Sequence, residues 1–254
     1  MVSGEILYNL LLVSMLVLAA VTSIVLGLIS APYGRHSRRG WGPAIDNRLG
    51  WILMETPAVL VFALCFVLGE YNDGVTAWVF LLMWAFHYAY RAYIYPFRLS
   101  RASRRMPVAI IGMGFLFNVM NAYLNGWYLF GLSGGYPIRW LTGPRFLVGL
   151  VLFVTGLVIN RQADRTLREL RQQGEGGYEI PYGGLYRWIS CPNYFGEIVQ
   201  WLGWAMATWS LAGLAFAVWT MANLIPRALS HHRWYREHFA EYPAERKAVV
   251  PGLW

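Results

Sequence analysis

Long apolar blocks dominate this chain. Seven apolar runs, at roughly 6–30, 50–69, 75–97, 107–130, 145–163, 194–209 and 211–229, are separated by shorter polar segments. A hydrocarbon core about 30 Å thick takes about 20 residues of helix, and most of these runs are of that order. The first is too long for the apolar region of a secretory signal, and Met1 to Glu5 ahead of it carries no Lys or Arg, so it reads as a retained span. The last two runs are short and meet in a tight turn near Ser210, which predicts a hairpin of helices. The pattern as a whole predicts an all-α integral membrane protein, a single domain built as a seven-transmembrane-helix bundle. The segment 164–193 is its largest polar excursion.

Charge turns this pattern into a topology. Of the Lys and Arg residues, all but Arg91, Arg139 and Arg145 fall after the first, third and fifth runs or in the C-terminal tail. Cationic loops stay on the cytoplasmic side, so the N-terminus is expected outside and the C-terminus in the cytoplasm, which requires an odd number of spans. The formal charge of +8 therefore has a topological cause, and nucleic acid is not an expected partner. Composition agrees: 57% of residues are hydrophobic and only 13% charged, against about 25% charged in soluble domains. Cys65 lies in an apolar run and Cys191 beside a polar loop, so neither a disulfide framework nor a metal site is expected. The expected setting is a monomer among membrane lipids. The polar N-terminus and the lack of a Lys-rich C-terminal retrieval signal favour a bacterial inner membrane over the endoplasmic reticulum.

Ionisable groups inside apolar runs are costly and point to function. Glu55 stands in the second run, and Tyr88, Arg91 and Tyr95 share a helical face in the third, where His87 also lies. A Tyr beside a buried carboxylate is a candidate proton donor, although the sequence alone does not bring Glu55 and Tyr88 together. Asn160, Asp164 and Arg171 follow helical spacing at the end of the fifth run, and Arg161, Arg165 and Arg168 form a second stripe suited to solvent or lipid headgroups. The segment Gly176 to Tyr186, with glycine pairs on both sides of a proline, predicts a shaped loop containing Tyr178. Asn193 and Glu197 share a face as the sixth run opens, and Arg227, His231 and Tyr235 recur every four residues as the seventh ends. Arginines set on polar stripes, Arg171 and Arg227 above all, suit a polyanion such as a phosphorylated nucleotide. With no dinucleotide-binding glycine motif and no Walker sequence, that nucleotide is expected within the helical bundle.

The string Gly183 to Glu197 resembles the signature of the membrane steroid 5-alpha-reductases. Asn160, Asp164, Tyr178, the segment Arg227 to Tyr235 and the ending Glu241 to Pro251 match in order and spacing. Upstream, Pro32 to His36, Trp51 to Pro57 and His87-Tyr88 continue the likeness, so it covers nearly the whole chain. The resemblance implies a seven-helix bundle that binds NADPH on its cytoplasmic side and reduces the 4,5 double bond of a 3-oxo-Δ4 steroid. It implies that Glu55 and Tyr88 contact the 3-oxo group, with Glu55 orienting Tyr88. It also implies that Asn160, Asp164, Arg171, Tyr178, Asn193, Glu197, Arg227, His231 and Tyr235 line the cofactor site. Residues 1–130 are then the substrate side and 145–254 the cofactor side. One departure is Met113, where the mammalian members carry an arginine; Asn118, Asn121 and Asn125 are the polar groups of this span. Asn121 with Arg104 or Arg105 is expected to supply the missing cofactor contact. Two other readings stay open. Pro192 to Gly196 and Phe239 to Tyr242 also resemble isoprenylcysteine carboxyl methyltransferases, which use S-adenosylmethionine, and the inward polar stripes also suit a sterol-binding protein without activity.

Overall fold

The computed structural model describes residues 2–30, 40–99, 105–173 and 178–252. Seven long helices account for most of them: α1 (Val2–Leu28), α2 (Asn47–Leu68), α3 (Val75–Ala89), α4 (Val108–Trp127), α5 (Pro144–Gln173), α6 (Pro192–Thr208) and α7 (Leu211–His238). α3 continues through a π turn, Tyr90–Ile94, into one last turn, Tyr95–Arg98, and α4 runs on into a second π turn, Tyr128–Leu132. Five of the seven, α1, α2, α4, α5 and α7, are long and apolar enough to cross a membrane. The regular part of α3 has 15 residues before its π turn and α6 has 17, which is why these two fall short. The apolar runs mark the helices well but understate α5 and α7, which continue as helix through the polar stripes to Gln173 and His238.

Local chemistry sets the ends. Asp46 caps α2, its Oδ1 accepting from the backbone N–H groups of Arg48 and Leu49 at 2.9 and 3.2 Å. Trp209 closes α6 in the left-handed conformation (φ 48°), and the Ser210 hydroxyl then caps α7 through the Gly213 N–H at 3.0 Å. The expected hairpin therefore turns on Trp209 and Ser210. Arg145 lies over the Trp209 ring, 4.3 Å from its centroid. A short antiparallel pair, β1 (Ala44–Ile45) with β2 (Met106–Pro107), ties the approach to α2 to the start of α4.

Two packing devices position the interior. The first is glycine. Gly149 and Gly156 on α5 meet Gly203 and Gly196 on α6, so the two backbones touch: a Cβ on Gly196 would strike Gly156 O and the Asn160 backbone, and one on Gly203 would strike Gly149 O and Phe153 N. In lipid, where apolar burial drives helix association little, such close van der Waals approach is a main source of cohesion. The second is an aromatic core. Phe62 stacks on Trp84 at 4.4 Å, and Trp84 packs on Trp201, Trp204 and Phe216 at 5.4–5.8 Å. The indole N–H groups of Trp84 and Trp204 find Ala58 O and Asn125 Oδ1, both at 2.8 Å, as buried donors must. Outward residues such as Leu60, Leu82, Leu116 and Val151 are more than half exposed, a surface suited to lipid tails.

The chain's end folds back on the bundle. Ser190 N and Cys191 N donate to Lys247 O and Ala248 O, and Lys247 N donates to Trp188 O. Ala248 and Val249 are thereby buried against Cys191, Ile198, Leu224 and Ala228. Both cysteines are buried, and no disulfide joins them.

Candidate active site

Glu55 stands on the inner face of α2 at 6% exposure. Its Oε2 accepts from Asn118 Nδ2 at 3.4 Å, and the same amide donates to Met54 O at 2.7 Å, fixing the carboxylate against α4. Its Oε1 lies 3.7 Å from Arg91 Nη2. Arg91 sits in the π turn of α3, its guanidinium over the rings of Trp51 and Tyr95 at 4.8 and 5.3 Å. π turns are frequent where a helix must redirect functional side chains. Glu197 from α6 and Asp164 from α5 also lie within the electrostatic field of Arg91. One guanidinium thus gathers carboxylates from three helices, with Glu55 and Asp164 buried around it.

Tyr88 is the second focus, 4% exposed and held by aromatic faces: Trp84 at 4.7 Å, His87 at 5.0 Å and Trp201 at 5.8 Å. Its hydroxyl accepts from Asn121 Nδ2 at 3.4 Å. The direction of this bond follows from its neighbours. Trp204 Nε1 can only donate, so the Asn125 oxygen must face it. The Asn125 amide nitrogen then turns to Asn121 Oδ1, at 3.0 Å, which leaves the Asn121 nitrogen for Tyr88. The relay Trp204–Asn125–Asn121 therefore makes the Tyr88 oxygen an acceptor and leaves its proton available to a ligand. Asn121, expected at the cofactor, here donates to Tyr88. No direct Glu55–Tyr88 hydrogen bond forms among the described residues; the two groups couple only through space, each oriented by its own asparagine on α4.

The glycine contact of α5 with α6 builds the next layer. Asn160 Nδ2 donates to Asn193 O at 3.0 Å, and Asn193 Nδ2 donates to Asp164 Oδ1 at 3.3 Å. Asn160 and Asp164 are buried, while Arg171, two turns beyond Asp164, is exposed in the last turn of α5. Tyr186 closes this layer from the loop side, its hydroxyl donating to Ala163 O at 3.2 Å. Burial first, then the charge of Asp164, pushes the Tyr186 phenol well above its ordinary range, so it stays a neutral donor. Arg171 and Tyr235 lie within its field.

On α7 the expected stripe is present, and Tyr194 completes it. Arg227 Nη2 donates to Tyr194 OH at 3.0 Å and Nη1 to Asn223 Oδ1 at 3.2 Å, while His231 Nε2 lies 3.2 Å from the same hydroxyl. Tyr235 is buried and stacks on Tyr242 at 5.2 Å, and Tyr178 packs edge-on against Trp234 at 5.2 Å. Arg104 and Gly176-Gly177 lie outside the described residues. Arg105 is exposed where α4 begins, and Met113 is 54% exposed on the outer side of that helix. A cleft of about 440 Å³ between α5 and Gly183–Trp188 is lined by Tyr186 but by none of the residues expected to bind cofactor.

Sequence reasoning passed over Asn118, Tyr186 and Tyr194 as site candidates and gave Arg91 no role beyond a charge inside an apolar run. A charge inside a span was the signal for Arg91. Tyr194 stood beside Asn193 in the string already singled out. Nothing in the sequence alone distinguished Tyr186 from the other tyrosines of its loop.

Helices with an apolar exterior and a buried layer of carboxylates, amides, guanidinium and phenol define a multi-pass membrane protein with an internal polar site. The family model of 3-oxo-5-alpha-steroid 4-dehydrogenases matches residues 104–254. Steroid 5-alpha-reductase DET2 of Gossypium hirsutum is 42% identical over the whole of both chains. The 3-oxo-5-alpha-steroid 4-dehydrogenase 1 of Bos taurus is 40% identical over 93% of each chain, and that of Homo sapiens 40% over 87% of this chain and 85% of its own. The chain belongs to the 3-oxo-5-alpha-steroid 4-dehydrogenase family and is an oxidoreductase. These relatives come from plants and mammals, so the expectation of a bacterial inner membrane is withdrawn.

Proposed function

We propose that this protein reduces the 4,5 double bond of a 3-oxo-Δ4 steroid to the 5α-dihydro product, with NADPH as reductant. The observation that carries the reading is the Tyr88 hydroxyl, desolvated and wired by Asn121 so that its proton points away from the protein network. NADPH, held by residues of α5 to α7, would supply the hydride for C5 of the enone. Negative charge then develops on the 3-oxo oxygen. Tyr88 meets that charge as hydrogen-bond donor, in a dry site where one donor counts for far more than in water. Glu55, braced by Asn118 and Arg91, holds the second side of the carbonyl site. A proton from water then completes C4, so that one hydride and one proton are added across the double bond.

The residues of α5 to α7 fit a phosphorylated dinucleotide. Asn160 and Asn193 offer amides, Arg171 and Arg227 cationic forks, and Tyr235 and His231 ring faces. Among the described residues Arg168 Nη1 is buried without a partner, on the same stretch of α5 as Asp164, a donor that a phosphate oxygen would satisfy. Residues 145–254 then hold the cofactor at the cytoplasmic mouth, and 1–130 hold a flat apolar substrate that enters sideways from the bilayer. We place all seven helices across the membrane, N-terminus outside and C-terminus in the cytoplasm, with the protein acting as a monomer.

The test is direct. Purified protein with NADPH and testosterone or progesterone should yield the 5α-dihydro steroid. Absence of product with any 3-oxo-Δ4 steroid, together with tight S-adenosylmethionine binding, would sink the proposal in favour of the methyltransferase alternative.

A further inference from the structure

The second arginine stripe on α5 does not behave uniformly. Arg165 is mostly exposed and paired with Glu169 at 2.6 Å, an ordinary solvated ion pair. Arg161, one turn earlier, turns to α3 instead. Its guanidinium lies flat on the Tyr90 ring, 3.6 Å from the centroid, and 5.0 Å from that of Phe86. Among the described residues its Nε and Nη2 are buried and have no hydrogen-bond partner. Arg98 also reaches Tyr90, Nη1 donating to the phenol oxygen at 3.3 Å with Cζ 5.4 Å from the ring centroid. Among the described residues neither arginine has a carboxylate within salt-bridge distance, and each is a like charge to the other. Stacking on Tyr90 offsets part of that cost, but unmatched guanidinium donors beside a second cation call for an anion.

The surroundings say what kind. Arg161 is 17 residues from the start of α5, roughly 25 Å along the helix and so near the far edge of a bilayer core about 30 Å thick. Val158 and Val154, three and seven residues back on the same side of α5, are 46% and 47% exposed. Phe86 and Phe97, on α3 and its last turn, are 61% and 63% exposed. An anion seated here has apolar side chains beneath it and cationic groups around it, which is the outline of a lipid and not of a free ion.

We propose that Arg161 and Arg98, both in contact with Tyr90, bind the phosphate of an anionic phospholipid whose tails lie along α3 and α5. The site uses none of the groups assigned to substrate or cofactor. It rests on the membrane-spanning arrangement but not on the reductase chemistry. Bound lipid would clamp α3 to α5, the helices that carry Tyr88 and Arg91 and that carry Asp164.

Native mass spectrometry of the detergent-purified, delipidated protein tests this with phosphatidylglycerol and phosphatidylcholine of matched tails. Two guanidinium contacts to a membrane anion predict at least about a tenfold preference for phosphatidylglycerol. The double change Arg161→Gln with Arg98→Gln should bring the two lipids to parity, whereas Arg165→Gln should leave the preference intact. Arg161→Lys, which keeps charge but loses the planar fork, should retain part of it, and it covers the case in which the double variant does not fold. Equal binding of the two lipids by the unaltered protein overturns the proposal, as does a preference that survives the double change. Displacement of phosphatidylglycerol by millimolar inorganic phosphate also overturns it, because the site would then be one for free anions. No steroid or NADPH is present, so failure here and failure of the reductase reading are told apart.

Discussion

Removing the Tyr88 hydroxyl is the sharpest test of the chemistry. Tyr88→Phe keeps the ring and its contacts with Trp84, His87 and Trp201, so the fold should be spared. What disappears is one preorganised donor in a site only 4% exposed. Loss of such a donor costs about 2.7–4 kcal/mol, or roughly a hundred- to a thousandfold in kcat. Asn121→Leu should act through the same hydroxyl but more weakly. The neutral bond it breaks is long, 3.4 Å, and a bond of that kind contributes roughly 0.5–1.5 kcal/mol, about two- to tenfold. If Asn121 works by orienting Tyr88, the double variant should be no slower than Tyr88→Phe alone. The assay is steady-state formation of the 5α-dihydro steroid by chromatography, with NADPH affinity measured separately from its fluorescence. A Tyr88→Phe enzyme within threefold of the parent would refute the assignment of Tyr88. Multiplying effects in the double variant would refute the relay.

Other changes probe the remaining layers. Glu55→Gln keeps the side chain's shape but removes the charge facing Arg91 at 3.7 Å; turnover should fall at least about tenfold with NADPH affinity preserved, and parallel loss of both would contradict the division of roles. Arg227→Gln removes a cationic fork at the cofactor end, so the Kd for NADPH should rise about tenfold or more while kcat at saturating NADPH stays within threefold; an unchanged Kd would remove Arg227 from the site. Gly196→Ala puts a methyl group against the α5 backbone at Gly156 and Asn160; overpacking of roughly 1–3 kcal/mol should lower the melting temperature by several degrees, and an unaltered melting curve would show that the α5–α6 contact is loose.

How much of this was legible in the residues depends on the range of the interaction. Helix positions were, because apolar runs report helix length directly. The stripes Asn160–Asp164 and Arg227–His231–Tyr235 were legible too, since a helix repeats every 3.6 residues and brings i and i+4 together whatever the tertiary fold. Glu55 and Arg91 announced themselves by cost alone, as charges in apolar surroundings. The spacing of Gly149 with Gly156 and of Gly196 with Gly203, seven residues in each case, was present to be read as a packing seam.

The partners were not legible, because they come from helices far apart in the chain. Asn118 and Asn121 are separated by less than one turn, yet one serves Glu55 on α2 and the other Tyr88 on α3. Which asparagine faces which helix depends on how α4 is rotated in the bundle, and a single span's apolar pattern leaves that rotation open. The π turn at Tyr90–Ile94 redirects Arg91, and no residue type marks such a turn. The sequence by itself thus determined the long helices, their polar stripes and the charges that must be satisfied. The tertiary structure alone decided that Arg91 gathers carboxylates from three helices and that the Tyr88 proton is left free, because both depend on contacts across the bundle and not along the chain.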